Sequence, residues 1–181
     1  MKKTTSLISA LVFAGAALSA SAVMAADISH APETLTLLDG TSDIGASFGS
    51  ANRGNTFLDQ FAFSFNGGAN IDAQISSYSP SAANGLNITS LDLYGTHGLV
   101  ASGVQEQTGK TDLWSLSFSN LAAGSYYLQV GGNAASGKAG SFGGNLTVSA
   151  VPEPETFGML LGGLGLLGLI SRRRKNAAAQ A

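Results

Sequence analysis

Phe57-Leu58-Asp59-Gln60-Phe61-Ala62-Phe63-Ser64-Phe65 is the stretch on which the reading of the fold turns. Phe61, Phe63 and Phe65 fall on one side of an extended chain, and Gln60, Ala62 and Ser64 on the other. A period of two is the mark of a strand with one buried face. Asn66-Gly67-Gly68 follows as a turn, and Ile71 to Ser76 alternates again, so the spacing predicts a hairpin. The same pattern extends in both directions. Thr34 to Leu38 reads as a short strand closed by the Asp39-Gly40 turn. Ile88 to Tyr94 puts Leu91 and Leu93 together, and Leu113 to Phe118 groups Trp114, Leu116 and Phe118. Tyr126, Leu128 and Val130 form another stripe, as do Phe142, Leu146 and Val148. Short strands divided by Gly, Asn and Ser turns predict an all-β fold, an antiparallel β-sandwich.

This β region runs from Ala26 to Ala150, a single-domain length. Its bases are Arg53, Lys110 and Lys138 against nine acids, so its net charge is 3 − 9 = −6. Such a domain carries no electrostatic footprint for nucleic acid or anionic lipid. The chain has no cysteine, which excludes disulfides, thiolate metal ligands and a cysteine nucleophile.

Two apolar segments flank the β region. Lys2 and Lys3 precede an apolar run from Leu7 to Leu18 and then small residues, the order of a secretory signal peptide over residues 1–25. Val23-Met24-Ala25 places cleavage between Ala25 and Ala26, with a site after Ala22 as the second choice. At the other end, residues 151–175 divide into three zones, followed by a short tail at 176–181. Residues 151–155 form a stiff acidic stem around Pro152, Glu153 and Pro154, because proline fixes φ and removes an amide donor. Residues 156–171 form an apolar, glycine-rich segment, read as a short transmembrane helix. Arg172, Arg173, Arg174 and Lys175 close it with a positive block that holds this end in the cytoplasm. The apolar run falls short of the roughly 20 residues of a full span, and its glycines lower helix propensity. It therefore reads as a temporary stop. Gly158 to Gly162 also fits the small-xxx-small spacing of close helix contacts.

Pro-Glu-Pro, an apolar segment and an Arg-rich end, in that order, resemble the PEP-CTERM sorting signal. The resemblance implies recognition by an exosortase, a membrane-embedded cysteine transpeptidase, and cleavage near Pro152–Pro154. It also implies an exopolysaccharide-producing Gram-negative bacterium. Phe57-Leu58-Asp59-Gln60-Phe61 resembles the motif that names the FxDxF family of PEP-CTERM proteins, with Phe57, Asp59 and Phe61 as its structural residues. Leu121 to Val130 is similar to the closing strands of that family and of pre-peptidase C-terminal domains. These likenesses imply a jelly-roll or Greek-key sandwich with no established activity.

Few residues invite chemistry. Strict alternation places Asp59 on the phenylalanine face, where an unpaired carboxylate would cost several kcal/mol. Three arrangements avoid this: hydrogen bonds from loop amides, a pair with Arg53, or a bulge before Gln60. Asp39 and Asp43, in Asp39-Gly40-Thr41-Ser42-Asp43, could share a Ca²⁺, but the spacing is not that of an EF-hand and the run reads as a solvated turn. His30 and His97 are the histidines available to a hydrolase, yet no G-x-S-x-G elbow occurs and nothing in the sequence orders either ring. Gly131-Gly132 and Gly143-Gly144 read as flanking strands rather than cradling phosphate. Tyr78, Tyr94 and Tyr127 are candidates for stacking on sugars, set against ordinary half-buried strand tyrosines. Asn87 and Asn145 open glycosylation sequons.

The expectation is an exported, non-enzymatic surface or matrix protein without cofactor or metal. Its partners are signal peptidase, exosortase, the membrane as a transient anchor, and exopolysaccharide. A glycan- or calcium-binding module is the alternative, and an exported hydrolase comes third.

Overall fold

The computed structural model describes residues 25–81, 84–151 and 158–167. The signal-peptide segment up to residue 24, the stem residues Pro152, Glu153 and Pro154, and the basic block Arg172 to Lys175 lie outside the described residues.

Ten strands form two sheets: β1 (Glu33–Thr34), β2 (Thr41–Phe48), β3 (Thr56–Phe65), β4 (Ala69–Tyr78), β5 (Leu86–Gly95), β6 (Gly98–Ser102), β7 (Val104–Gln107), β8 (Thr111–Leu121), β9 (Gly124–Ala134) and β10 (Gly140–Ala150). One sheet has the order β1-β3-β9-β5-β6 and the other β2-β10-β4-β8-β7. Every pairing is antiparallel except β1 with β3. The pairs β2·β10, β3·β9, β4·β8 and β5·β6 are nested one inside the next, as if one long hairpin had been rolled up. That nesting is the jelly-roll arrangement, with β1 and β7 added at edges.

The hairpin predicted between β3 and β4 is therefore an arch. β3 lies in one sheet and β4 in the other, and Asn66-Gly67-Gly68, with Gly67 at φ 81°, carries the chain across the core. Both strands do alternate, but their buried faces look at each other across the sandwich instead of lying side by side. Two other sequence readings also shift. The strand expected over 34–38 shortens to Glu33–Thr34, and Leu38 is exposed because it opens a two-residue turn. Asp39 (φ 50°) and Gly40 (φ 78°) both sit in the left-handed region, and Leu38 and Thr41 exchange backbone hydrogen bonds at 2.8 and 2.9 Å. This is the type I′ geometry that Asp-Gly favours. Asp43, read as part of that turn, is a strand residue of β2.

The glycine pairs lie within strands rather than flanking them, Gly131-Gly132 in β9 and Gly143-Gly144 in β10. Gly132 has a packing reason: a methyl there would come within 2.6 Å of the Phe57 ring and 2.5 Å of the Asn87 carbonyl. The core between the sheets is built from Phe57, Phe61, Phe63, Ile71, Ile75, Leu91, Leu93, Leu128, Val130, Phe142 and Leu146, all buried, so the predicted stripes hold. Ile88 and Leu91 both point inward, although they are three residues apart. A register shift between Ile88 and Ser90 inserts the extra residue that allows this.

β6 pairs with only the last part of β5, so the Ile88 backbone has no strand neighbour on that side. Two side chains of β8 take its place: Asp112 Oδ2 accepts from the Ile88 N–H at 3.1 Å, and Trp114 Nε1 donates to the Ile88 carbonyl at 3.2 Å. Asp112 is buried and its Oδ1 has no hydrogen-bond partner.

Beyond the sandwich, residues 158–167 form helix α1, exposed throughout. At 1.5 Å per residue it is about 15 Å long, half of a hydrocarbon core of roughly 30 Å. No helix among the described residues is long and apolar enough to cross a membrane. Of the span expected over 156–171, residues 156–157 and 168–171 lie outside the described residues.

Candidate functional site

Asp59 is where the sequence raised its sharpest question. Its β3 position faces inward, as alternation required, and it is 2% exposed. The β3–β9 register runs unbroken from Thr56 to Phe65, so no bulge on β3 has turned it away. The irregularity lies on the opposite chain. Asp27 bridges Thr56, an offset of 56 − 27 = 29, whereas Glu33 pairs with Phe61, an offset of 61 − 33 = 28. The segment before β1 therefore carries one residue more than the strand beside it. The slack is taken up at Ser29 and His30. Ser29 Oγ accepts from the Leu58 N–H at 2.7 Å, and Asp59 Oδ1 accepts from the His30 N–H at 2.7 Å. Asp59 Oδ2 meets His30 Nδ1 at 3.1 Å.

Both carboxylate oxygens are thus engaged by a single residue of the N-terminal segment. An ionised carboxylate only accepts, so an Nδ1–H is the donor that would complete this pair. Of the arrangements considered for Asp59, the loop amide is the one realised. Arg53 makes no ion pair among the described residues, where His30–Asp59 is the only such contact.

The phenylalanines on either side of Asp59 anchor it. The Phe57 ring stacks on Phe142 of β10 at 5.7 Å and meets Phe48 of β2 at a tilt at 4.5 Å, while Phe61 meets Phe142 edge-on at 6.2 Å. The His30 ring caps this cluster, 4.9 Å from Phe48. Phe-x-Asp-x-Phe therefore ties three things at one point: sheet to sheet through the rings, and the N-terminal segment to β3 through the carboxylate. A cavity of about 300 Å³ opens beside it, between that segment and β2, bounded by His30, Glu33, Ala46, Ser47, Asp59 and Phe61.

A histidine oriented by an aspartate is two-thirds of a hydrolytic triad. The neighbouring Ser29 hydroxyl is committed elsewhere, donating to Asp27 Oδ1 at 2.5 Å while it accepts from Leu58. The same bond, with a second from the Ser29 N–H at 2.9 Å, holds the exposed Asp27 carboxyl below its ordinary 3.8. The arrangement serves as a latch. The sequence reading found Asp59 through its parity, but His30 carried no signal, because only the slip in the parallel pairing brings it in.

The other candidates disperse. His97 is exposed in the β5–β6 turn and makes no ion pair among the described residues. Asp39 stands at a turn and Asp43 on β2, and no group of three His, Asp or Glu side chains suited to a metal gathers among the described residues. Tyr78 projects from the end of β4, 75% exposed, in one sheet. Tyr94 and Tyr127 are cross-strand partners in the other, with rings stacked at 5.1 Å and 4°. Asn145 is exposed on β10 and Asn87 half-buried on β5, so both sequons lie in strands.

The tail is decided by its sequence match. Residues 150–175 match the family model of the PEP-CTERM protein-sorting motif. The chain carries that sorting motif. Its match begins at Ala150, the last residue of β10, and ends at Lys175. No curated protein matches the chain in sequence. Among solved structures, the chain is similar to the pre-peptidase C-terminal domain of collagenase from Bacillus anthracis, at 18% identity over 66% of this chain and 95% of that one, TM-score 0.42. It is similar to PliG, a periplasmic inhibitor of g-type lysozyme from Aeromonas hydrophila, at 14% identity over 68% and 100%, TM-score 0.44. A third likeness is to the propeptide form of the Bacillus licheniformis lipase BlEst2, at 15% identity over 64% of this chain and 23% of the lipase, TM-score 0.40.

Proposed function

We propose that this chain is the precursor of an exported, non-enzymatic surface or matrix protein of the FxDxF type, sorted through its PEP-CTERM motif by an exosortase. Signal peptidase cuts between Ala25 and Ala26, the sandwich folds in the periplasm, and residues 156–175 hold it transiently at the inner membrane. Exosortase then cuts near Pro152–Pro154 and releases the domain to the cell surface or the exopolysaccharide matrix.

The observation that carries this reading is where the motif starts. The last sandwich hydrogen bond runs from the Val151 N–H to the Gly68 carbonyl at 2.8 Å, one residue before Pro152. A cut after Val151 therefore removes none of the described strands, and Pro152 and Pro154 lack the amide donor that a strand uses. The non-enzymatic assignment is supported by the commitment of Ser29 to Asp27 and Leu58.

Intact-mass measurement of the protein recovered outside the producing cells tests the reading. The expected species begins at Ala26 and ends within the stem. A mature protein still carrying Arg172 to Lys175 would refute it.

A further inference from the structure

We propose that the outward face of the β3-β9-β5-β6 sheet is a binding platform for an uncharged polysaccharide. The strand register sets this face out in rows. Ala62, Tyr127, Tyr94 and Leu99 form one row across four strands; Gln60, Gln129, Asp92 and Ser102 form the next. Leu58 and Ser90 lie over Gly131 in a third, where a methyl would come within 3.0 Å of Leu58 and 2.6 Å of Ser90. Strands about 4.8 Å apart and rows about 6.8 Å apart give a patch of about 14 by 14 Å. The opposite sheet faces solvent with Asp43, Asn145, Gln74 and Ser115 in one row and Thr147, Asp72 and Ser117 in another. Its exposed ring is Tyr78, alone at the end of β4 with no aromatic neighbour beside it among the described residues.

The platform has the chemistry of a sugar site. Sugar rings offer apolar C–H faces ringed by hydroxyls, so they are bound where a flat aromatic surface adjoins amides. Tyr94 and Tyr127 cover one face of each other, and both side chains stay half-exposed. A shallow, carbon-rich groove of about 260 Å³ runs beside Tyr127, bounded also by Ala62, Gly95, Thr96 and Ser125. One row away, Gln60 Nε2 donates to Gln129 Oε1 at 3.3 Å. That bond fixes the two amides and leaves the Gln129 amide nitrogen and the Gln60 carbonyl oxygen for a ligand. Leu58 and Leu99, 53% and 57% exposed, extend the apolar surface at two corners.

Charge selects the occupant. Asp92 is the platform's one charge, while Arg53, Lys110 and Lys138 all lie in loops outside it. A uronate or sulfated chain would meet a carboxylate without a counter-charge, and a second copy of a domain at −6 is repelled. A neutral glycan meets neither obstacle.

The test is affinity electrophoresis of the full-length chain, in mild detergent, through gels containing hydroxyethylcellulose, galactomannan or dextran, with alginate as the anionic comparison. At least one neutral polymer retards the chain and alginate does not. Tyr94→Ala/Tyr127→Ala weakens retardation at least tenfold and Gln129→Ala several-fold, whereas Gln74→Ala on the opposite face leaves it unchanged. Ala62→Trp, which fills the groove and removes nothing, also abolishes it, and unchanged melting shows that each variant is folded. The proposal is overturned if no neutral polymer retards the chain, if alginate does so more strongly, or if folded platform variants bind as the wild type does. It is equally overturned if the chain self-associates through this face and the tyrosine variants are monomeric.

Discussion

Among the described residues two carboxylates are buried on strands, and they are not equally provided for. Asp59 and Asp112 are each 2% exposed. Each sits where regular pairing fails: Asp59 beside the one-residue slip before β1, and Asp112 opposite the stretch of β5 that β6 does not reach. Each answers a backbone N–H that would otherwise have no strand partner, that of His30 or that of Ile88. The difference lies in the second oxygen. Asp59 gives it to the His30 ring, whereas Asp112 Oδ1 has no partner. A jelly roll with short edge strands thus mends its gaps with aspartate, and the mend is complete at one gap and partial at the other.

The largest effect follows from removing the complete one. Asp59→Ala loses a charge-assisted bond to the His30 N–H and another to its ring, and frees the N-terminal segment from β3. The expected loss is about 3 kcal/mol, from roughly 1.5–3 kcal/mol for each bond to a charged group less what solvent returns to the half-exposed histidine. Urea unfolding of the full chain measures it. Limited proteolysis should show earlier clipping before Glu33. A loss below about 0.5 kcal/mol would mean that the latch is only decorative.

Replacing each carboxylate by an amide sharpens the contrast. Asn at 59 keeps a carbonyl for the His30 N–H but turns an NH₂ toward His30 Nδ1, which can accept it only by moving the ring proton to Nε2. Both bonds also lose their charge assistance, so Asp59→Asn costs about 1–2 kcal/mol. Asp112→Asn keeps a carbonyl for the Ile88 N–H and exchanges an unpartnered oxygen for an unpartnered NH₂, so no existing bond is lost. Its stability should fall within about 0.5 kcal/mol of the wild type or exceed it. Paired denaturation curves decide the matter: equal losses at both positions would show that the orphaned oxygen is not a cost.

Much of this was legible in the chain. Alternation identified the strand cores and placed Phe57, Asp59 and Phe61 on one face, because side-chain parity is local. The partner of β3 was not legible. Asn66-Gly67-Gly68 can end a hairpin or an arch, and the choice belongs to the nested long-range pairs, which leave no mark on five neighbouring residues. The same limit hid His30, whose role depends on an offset between segments 29 residues apart. Asp112 and Trp114 read only as members of a stripe, since the gap they fill arises from the length of β6. The tail was the reverse case: its three zones are local in sequence, and their order alone matched a sorting motif.

The smallest effect belongs to Asp27, which stands at the start of the same latch but in full solvent. The Ser29 hydroxyl, and then the Ser29 N–H, hold its carboxyl below 3.8. A depressed carboxyl stabilises the fold in its ionised form, so its contribution is complete above the unfolded value and is lost as pH falls through the folded one. The difference in melting temperature between the wild type and Asp27→Asn should therefore be small and constant from about pH 8 to 5, then shrink below about pH 4. Taking the difference between the two proteins isolates this group. A gap that persisted unchanged to about pH 2.5 would assign the contribution to the shape of the Asp27–Ser29 turn rather than to its charge. The latch would then rest on the Asp59 carboxylate alone.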